Sequence, residues 1–332
     1  MCWIHFVVGT WRKFATAMSD VVISTSSFDV DNNPAIDSLR AAGLQVTTNP
    51  FGRKLTEDEI SALLGDSVVG LLAGVEPLTA RVISGAQGLR VISRCGVGLD
   101  NVDQAAASAR EISVFSTPDA PVDAVVEMTM GLMLATLRKI PEADRQVRAD
   151  GWPRLKGRLL KAQTVGVLGL GRIGSRVAGI CAAFGARVIA YDPLVKSAPS
   201  DVECVDLKTL LARSDIVSLH IPYNEKTHHL INKESLATMK PGAILVNTAR
   251  GSLVNEDELL AALRCGQLWG AGLDVFESEP YSGELRDLPQ VVLTPHLASS
   301  AVESRREMEL EAARNLYSGL CATGVIGDGD KP

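Results

Sequence analysis

A chain of 332 residues, 46% of them hydrophobic, is long enough for two domains with separate cores. A formal charge of −6 offers no basic footprint for nucleic acid, and no apolar run is long enough to span a bilayer. The six cysteines (Cys2, Cys95, Cys181, Cys204, Cys265, Cys321) form no C-x-x-C pair, which argues against a zinc ribbon or a disulfide framework and fits a reducing cytoplasm.

In residues 1–17, Arg12 and Lys13 follow the short apolar run, the wrong order for a secretory signal. Met18 directly precedes S-D-V-V-I-S-T, a natural domain start, so residues 1–17 read as an extension. From Val21 strand and helix alternate. V-V-I-S-T reads as a strand, Pro34–Ala42 as a helix stopped by Gly43, and Leu44–Thr48 as the next strand. Thr56 and Glu59 form a capping box that opens a further helix. Ser67–Leu72, Arg90–Ser93 and Ile112–Phe115 complete five short strands, whose crossovers predict a small doubly wound parallel sheet. No glycine-rich loop follows its first strand, so this domain suits a substrate better than a dinucleotide. Pro118 and Pro121 then mark a crossover. A helix over Val125–Leu137 comes next, followed by a polar segment, Pro141–Gly157.

The second domain is organised around Thr164–Ser175, T-V-G-V-L-G-L-G-R-I-G-S. Val165, Val167 and Leu168 read as a buried strand, and Gly169, Gly171 and Gly174 give G-x-G-x-x-G. Gly169 permits the tight turn, Gly171 admits a pyrophosphate, and Gly174 lets helix pack on strand. Arg172 and Ile173, between the last two glycines, belong to the same cradle, where the helix opens with unpaired N–H groups. A second strand, Ala186–Tyr191, ends in Asp192, placed to hold a ribose 2′-hydroxyl. The acid points to NAD rather than NADP. Further strands are expected at Ile216–His220, Ala243–Asn247, Leu268–Val275 and Val291–Leu293. Helices are expected at Leu207–Arg213 and at Asp257–Arg264, the latter capped by Asn255. The two sheets should have five to six strands each. An amphipathic helix over Val302–Leu320 is the candidate for returning to the first domain.

In open parallel sheets ligands sit beyond the carboxyl ends of strands. Gly96-Val97-Gly98 follows the fourth strand of the first domain, and His220-Ile221-Pro222, Arg250, Glu279 and His296 follow strands of the second. Arg250, in N-T-A-R-G, is a planar fork suited to a carboxylate and a neighbouring oxygen. His296, in L-T-P-H, suits acid–base work if a carboxylate orients it. Glu279 and Glu277, in D-V-F-E-S-E-P, compete for that place, and spacing does not separate them. Asp274 is a candidate for a nicotinamide carboxamide. His228-His229 with His220 finds no cysteine or carboxylate at a known ligand spacing, so no metal is expected.

Together G-L-G-R-I-G with Asp192, S-L-H-I-P…T-H-H-L-I, N-T-A-R-G, G-L-D-V-F…E-P and T-P-H resemble the D-isomer-specific 2-hydroxyacid dehydrogenases, nearest to the phosphoglycerate dehydrogenase-like branch. The resemblance runs from about Val21 to about Leu320. It implies two Rossmann-like domains, an NAD-binding domain over 118–300 inserted into a flavodoxin-like substrate domain over 18–117 and 301–325. It implies homodimers through the nucleotide domain, with Val125–Trp152 as the arm. Carried over by motif, Arg250 binds the substrate's carboxylate and 2-oxygen, His296 handles the proton, and Glu279, immediately before the proline, is its partner. Thr248 and Asp274 hold the nicotinamide amide, while His220, Ile221, Pro222 and Thr227 belong to the cofactor site. Gly74, Val97 and Gly98 serve the substrate. The chain ends soon after its last helix, without the regulatory domain that some phosphoglycerate dehydrogenases carry. Arg53, Lys54, Arg81 and Arg90 are the basic residues available to a phosphate. The expected activity is hydride transfer between NAD and C2 of a small D-2-hydroxy acid, 3-phosphoglycerate among the candidates. An NAD(H)-sensing corepressor on the same fold is the alternative.

Overall fold

The computed structural model describes residues 21–195 and 201–327; the 1–17 extension lies outside them. Among the described residues, those up to Pro121 together with those from Val302 onward form one compact unit, and those from Val122 to Ala301 form another.

In the first unit the strands are β1 (Val21–Ile23), β2 (Val46–Thr48), β3 (Gly70–Ala73), β4 (Val91–Arg94) and β5 (Ser113–Phe115). All pair in parallel in the order β2-β1-β3-β4-β5, the flavodoxin-like arrangement. Every residue of β1 and β3 is buried, as expected of strands covered on both faces. The crossovers contain α1 (Pro34–Ala41), α2 (Glu57–Leu63), α3 (Ala80–Gly85) and α4 (Gln104–Ala109). The capping box at α2 forms: Thr56 Oγ1 accepts the Glu59 N–H at 3.3 Å, and Glu59 Oε2 accepts the Thr56 N–H at 2.8 Å.

The second unit begins with α5 (Val122–Arg138) and α6 (Ile140–Arg148). It continues through β6 (Thr164–Leu168), α7 (Arg172–Ala183), β7 (Arg187–Tyr191), β8 (Val202–Cys204), α8 (Leu207–Arg213), β9 (Ile216–Leu219), α9 (Lys233–Thr238), β10 (Ala243–Asn247), α10 (Glu256–Arg264), β11 (Leu268–Leu273) and β12 (Val291–Leu293). Its parallel sheet runs β12-β11-β10-β9-β6-β7-β8, a Rossmann order with one strand added. Seven strands replace the expected six because β8 joins the edge beside β7. Only Val202 of that strand is buried, so its sequence carries no apolar pattern. Helix α6 likewise occupies the stretch that reads as a polar segment. None of its residues is buried, and Pro141 stands in its first turn, where a missing N–H costs nothing.

On one face of this sheet α5 packs against α7, with Met130 and Met133 around the wholly buried Cys181. Burial pushes that thiol up to about 12, so Cys181 is packing rather than chemistry. The last helix, α11 (Val302–Ala322), returns to the first sheet. Its Ala312, Leu316 and Leu320 are wholly buried, and Ser93 Oγ donates to Ala312 O at 2.7 Å. Shortening such a leucine to alanine costs about 2–5 kcal/mol in a close-packed core. Among the described residues no helix is long and apolar enough to cross a membrane.

Candidate functional site

Strand order reverses between β6 and β9, so the crevice of the second unit lies beyond their carboxyl ends. The glycine turn after β6 is closed on two sides. Gly169 has φ +99°, and a Cβ there would lie 2.5 Å from His220 O. A Cβ on Gly174 would lie 1.9 Å from Gly169 O. At Gly171, the N-cap of α7, a Cβ would meet nothing within 4 Å. A pyrophosphate therefore fits at Gly171, facing the first N–H groups of α7, which Arg172 and Ile173 open.

Asp192 follows β7. Its Oδ2 accepts the Leu170 N–H and its Oδ1 the Leu194 N–H, both at 2.8 Å. The carboxylate thus ties the glycine turn to the β7 end and retains acceptor capacity on each oxygen for a ribose hydroxyl. A 2′-phosphate would meet this negative charge, so the protein should prefer NAD, and Asp192→Ala should narrow the preference by about 10-fold. Comparing kcat/KM for the two cofactors checks this; equal or better wild-type turnover with NADP contradicts it.

His220 follows β9. Its N–H donates to Leu168 O at 2.7 Å, and its Nε2 pairs with Ser218 Oγ at 2.8 Å. Burial pushes its pKa down to about 4, so the imidazole beside the cofactor crevice is neutral. The unfolded chain binds a proton here below about 6.5 that the folded chain refuses until about 4. Stability should therefore fall as pH drops across that interval. His220→Gln should show a smaller drop in Tm over the same interval, and an unchanged drop contradicts the assignment. Ile221 and Pro222 continue the loop. Thr227 Oγ1 accepts the Asn224 N–H at 2.8 Å and lies 3.0 Å from Pro222 O, which closes the turn on itself.

The other side chains stand beyond β10, β11 and β12. After β10, Asn247 Oδ1 accepts the Ala249 N–H at 3.0 Å and its Nδ2 donates to Arg250 O at 2.8 Å, which shapes the turn that carries Arg250. Arg250 Nη1 donates to Ala249 O at 2.7 Å. A Cβ on Gly251 would fall 1.9 Å from Phe276 C and 2.3 Å from Glu277 N. The Arg250 turn and the loop bearing both glutamates are thus in direct backbone contact. Thr248 pairs its hydroxyl with that of Thr129 on α5 at 2.8 Å.

The two glutamates have different partners. Glu279 accepts the Phe276 N–H on Oε1 at 3.0 Å and faces His296 Nδ1 with Oε2 at 2.8 Å. Glu277 reaches His229 Nε2 at 3.0 Å, and its own N–H donates to Glu256 Oε1 at 2.8 Å. Burial first, then the nearby Glu277, Asp257 and Glu279, pushes the Glu256 carboxyl above the ordinary range. His296 is held in the left-handed region at φ +55°, a conformation that costs of order 1–3 kcal/mol in a non-glycine residue. Its surroundings impose it. The His296 N–H donates to Asp274 O at 2.8 Å, and the wholly buried Asp274 carboxylate takes the Thr294 hydroxyl at 2.5 Å and the Leu297 and Ala298 N–H groups at 2.8 Å. Asp274 is therefore first the anchor of the His296 turn.

Glu277 also completes a cluster that spacing does not reveal: ligand atoms of His228, His229 and Glu277 lie within 4.8 Å of one another. The two imidazoles are stacked at 3.9 Å with 22° between planes, so their lone pairs run side by side instead of converging on a cation.

In the first unit, Val97 and Gly98 follow β4, with Val97 exposed at the rim. Gly74 follows β3, but its N–H turns inward to the Glu76 carboxyl at 3.0 and 3.1 Å. Glu76, which reads in sequence as a strand-end turn, is buried; an acid inside an apolar run was the available signal. Arg90 is spent at the amino end of β4, where Nη1 donates to Gln87 O and Leu89 O.

Residues 130–298 match the model of the D-isomer specific 2-hydroxyacid dehydrogenase NAD binding domain. A hydroxypyruvate reductase of Thermotoga maritima is 40% identical over 272 residues, 80% of this chain and 89% of that one. A D-3-phosphoglycerate dehydrogenase of Mycobacterium leprae is 44% identical over 261 residues, 77% of this chain but only 49% of the relative's length. A crystal structure of a protein from Thermus thermophilus superposes with a TM-score of 0.82 at 38% identity, covering 91% of this chain and 97% of that one. The chain belongs to the D-isomer specific 2-hydroxyacid dehydrogenase family, and its second unit is an NAD-binding domain of that family of NAD-dependent enzymes.

Proposed function

We propose that the protein interconverts a small D-2-hydroxy acid and its 2-oxo acid, with Arg250, Glu279 and His296 as the reacting set. The observation that carries this reading is the His296 Nδ1–Glu279 Oε2 contact at 2.8 Å on a loop in backbone contact with the Arg250 turn. Bound NAD(H) supplies or accepts the hydride at substrate C2. Arg250 grips the carboxylate and the 2-oxygen through two N–H groups, which fixes the carbon for attack and stabilises charge on that oxygen. With Nδ1 tied to Glu279, His296 presents Nε2 to the 2-oxygen, giving a proton in reduction and taking one in oxidation. Glu279 orients the ring through that contact. Thr248 and Asp274 serve the nicotinamide amide, Asp274 with the acceptor capacity its three donors leave. Pairing with a second copy through Val125–Trp152 is part of the same reading: Ile140, Val147 and Trp152 are 54%, 50% and 84% exposed along that arm. Cys95, Cys181, Cys204, Cys265 and Cys321 are free thiols, which suits a reducing cytoplasm.

The test is NADH oxidation with a panel of 2-oxo acids that includes glyoxylate, hydroxypyruvate and its 3-phosphate. Turnover of at least one, abolished in His296→Gln, is expected. No turnover with any contradicts the enzyme reading and favours an NAD(H)-sensing binding protein.

A further inference from the structure

Two short oxygen–oxygen contacts in the second unit fix the direction of two hydroxyl groups. Helix α5 lies close against β11 because Gly272 leaves room for it: a Cβ there would fall 3.0 Å from Leu132 Cβ and 3.3 Å from Thr136 Oγ1. Thr129, three residues before Leu132 on the same helical face, then reaches the carboxyl end of β10, where Thr248 stands. Thr129 is wholly buried, and Thr248 keeps 7% of its surface exposed. Thr129 Oγ1 lies 2.7 Å from Val125 O and 2.8 Å from Thr248 Oγ1.

Each hydroxyl has one hydrogen to give. A backbone carbonyl only accepts, so the 2.7 Å contact takes the Thr129 hydrogen, in the back-bond to residue i−4 that threonine makes within helices. The 2.8 Å contact is also a hydrogen-bond distance, and it takes the Thr248 hydrogen. Both hydrogens are thus used inside the protein, and Thr248 Oγ1 has lone pairs alone to offer a ligand. Asp274 stands beside it: Asn247 pairs with Leu273 across β10 and β11, and the Asp274 N–H donates to Asn247 O at 3.0 Å. Its carboxylate accepts as well. A ligand group meeting this pair must therefore bring N–H, because a carbonyl oxygen there would face acceptors.

We infer that Thr129 is a positioning residue for the cofactor: by taking the Thr248 hydrogen it makes Thr248 an acceptor, which selects the NH2 of the nicotinamide carboxamide and sets which way that amide is turned. This rests on the reading above that Thr248 serves the amide.

The experiment compares, by calorimetric titration of the intact chain, the Kd for NAD with that for 3-acetylpyridine adenine dinucleotide, in which a methyl replaces the amide NH2. The wild type should bind NAD about 10-fold more tightly, since the analogue leaves buried acceptors without a donor. Thr129→Val keeps the shape but frees the Thr248 hydrogen to turn outwards, so the ratio should fall by about 5-fold. Thr129→Ser keeps the hydroxyl and should keep the ratio, which loosened packing alone would not do. Thr129→Ala, smaller and likewise without the hydroxyl, should repeat the valine result even where valine disturbs the core. Thr248→Val should lower the ratio as far as Thr129→Val, and combining the two should lower it no further. A wild-type ratio in both Thr129→Val and Thr129→Ala, with a fall in Thr248→Val, overturns the inference and leaves the Thr248 reading standing. A ratio unmoved in Thr248→Val, or a wild type that binds the two cofactors alike, overturns both.

Discussion

Arg250→Lys is expected to lower kcat/KM by about 10²-fold or more, although it keeps the positive charge. An ammonium is a point charge; it attracts the carboxylate but cannot hold two oxygens in one plane. The turn that presents Arg250 is over-determined by Asn247 and by the Gly251–Phe276 backbone contact, so a lysine inherits the same Cα position. The loss should therefore come from substrate misplacement rather than from a collapsed loop, and it should fall on kcat as well as KM. Steady-state kinetics, with thermal unfolding to show an unchanged fold, checks this. A lysine variant with near-wild-type activity removes Arg250 from the reaction.

Glu279→Gln should cut kcat/KM by on the order of 10–10²-fold in both directions. Glutamine is the same size and still accepts a hydrogen bond, but it removes the anion 2.8 Å from His296 Nδ1. Reduction draws on the protonated imidazole and oxidation on the neutral one. The carboxylate orients the ring for both steps, so its removal costs both directions. Glu277→Gln breaks a contact to His229 instead, and should spare both rates. Measuring kcat/KM in the two directions at one pH checks this.

Much of this arrangement is legible in the chain because the glycines of the β6–α7 turn have steric reasons to be glycine. The closures at Gly169 and Gly174 against the opening at Gly171 follow the spacing of G-x-G-x-x-G. Helices with side-chain caps were equally readable: Thr56, Asn255 and the Leu207–Arg213 helix all stand where sequence places them. What escaped had no local signature. The β8 strand buries one side chain, and α6 buries none, so neither leaves a periodic apolar pattern. Spacing leaves Glu277 and Glu279 open and the resemblance names Glu279; the contacts that distinguish them, His229 with Glu277 and His296 with Glu279, join loops 48 and 17 residues apart. That the Asp274 carboxylate also takes three donors from the His296 turn is a tertiary fact with no local signature. Glu76 differs in having a sequence signal, an acid inside an apolar run, but its Ser24 partner is a tertiary fact.

The central claim is that Glu279 acts on the reaction through His296, and the pH dependence of kcat/KM in both directions tests it most directly. In the wild type, reduction should fall and oxidation should rise as pH increases over the same interval. In Glu279→Gln the two profiles should change, while in Glu277→Gln they should stay in place. Limbs that move in the Glu277 variant and not in the Glu279 variant, or in neither, would contradict it.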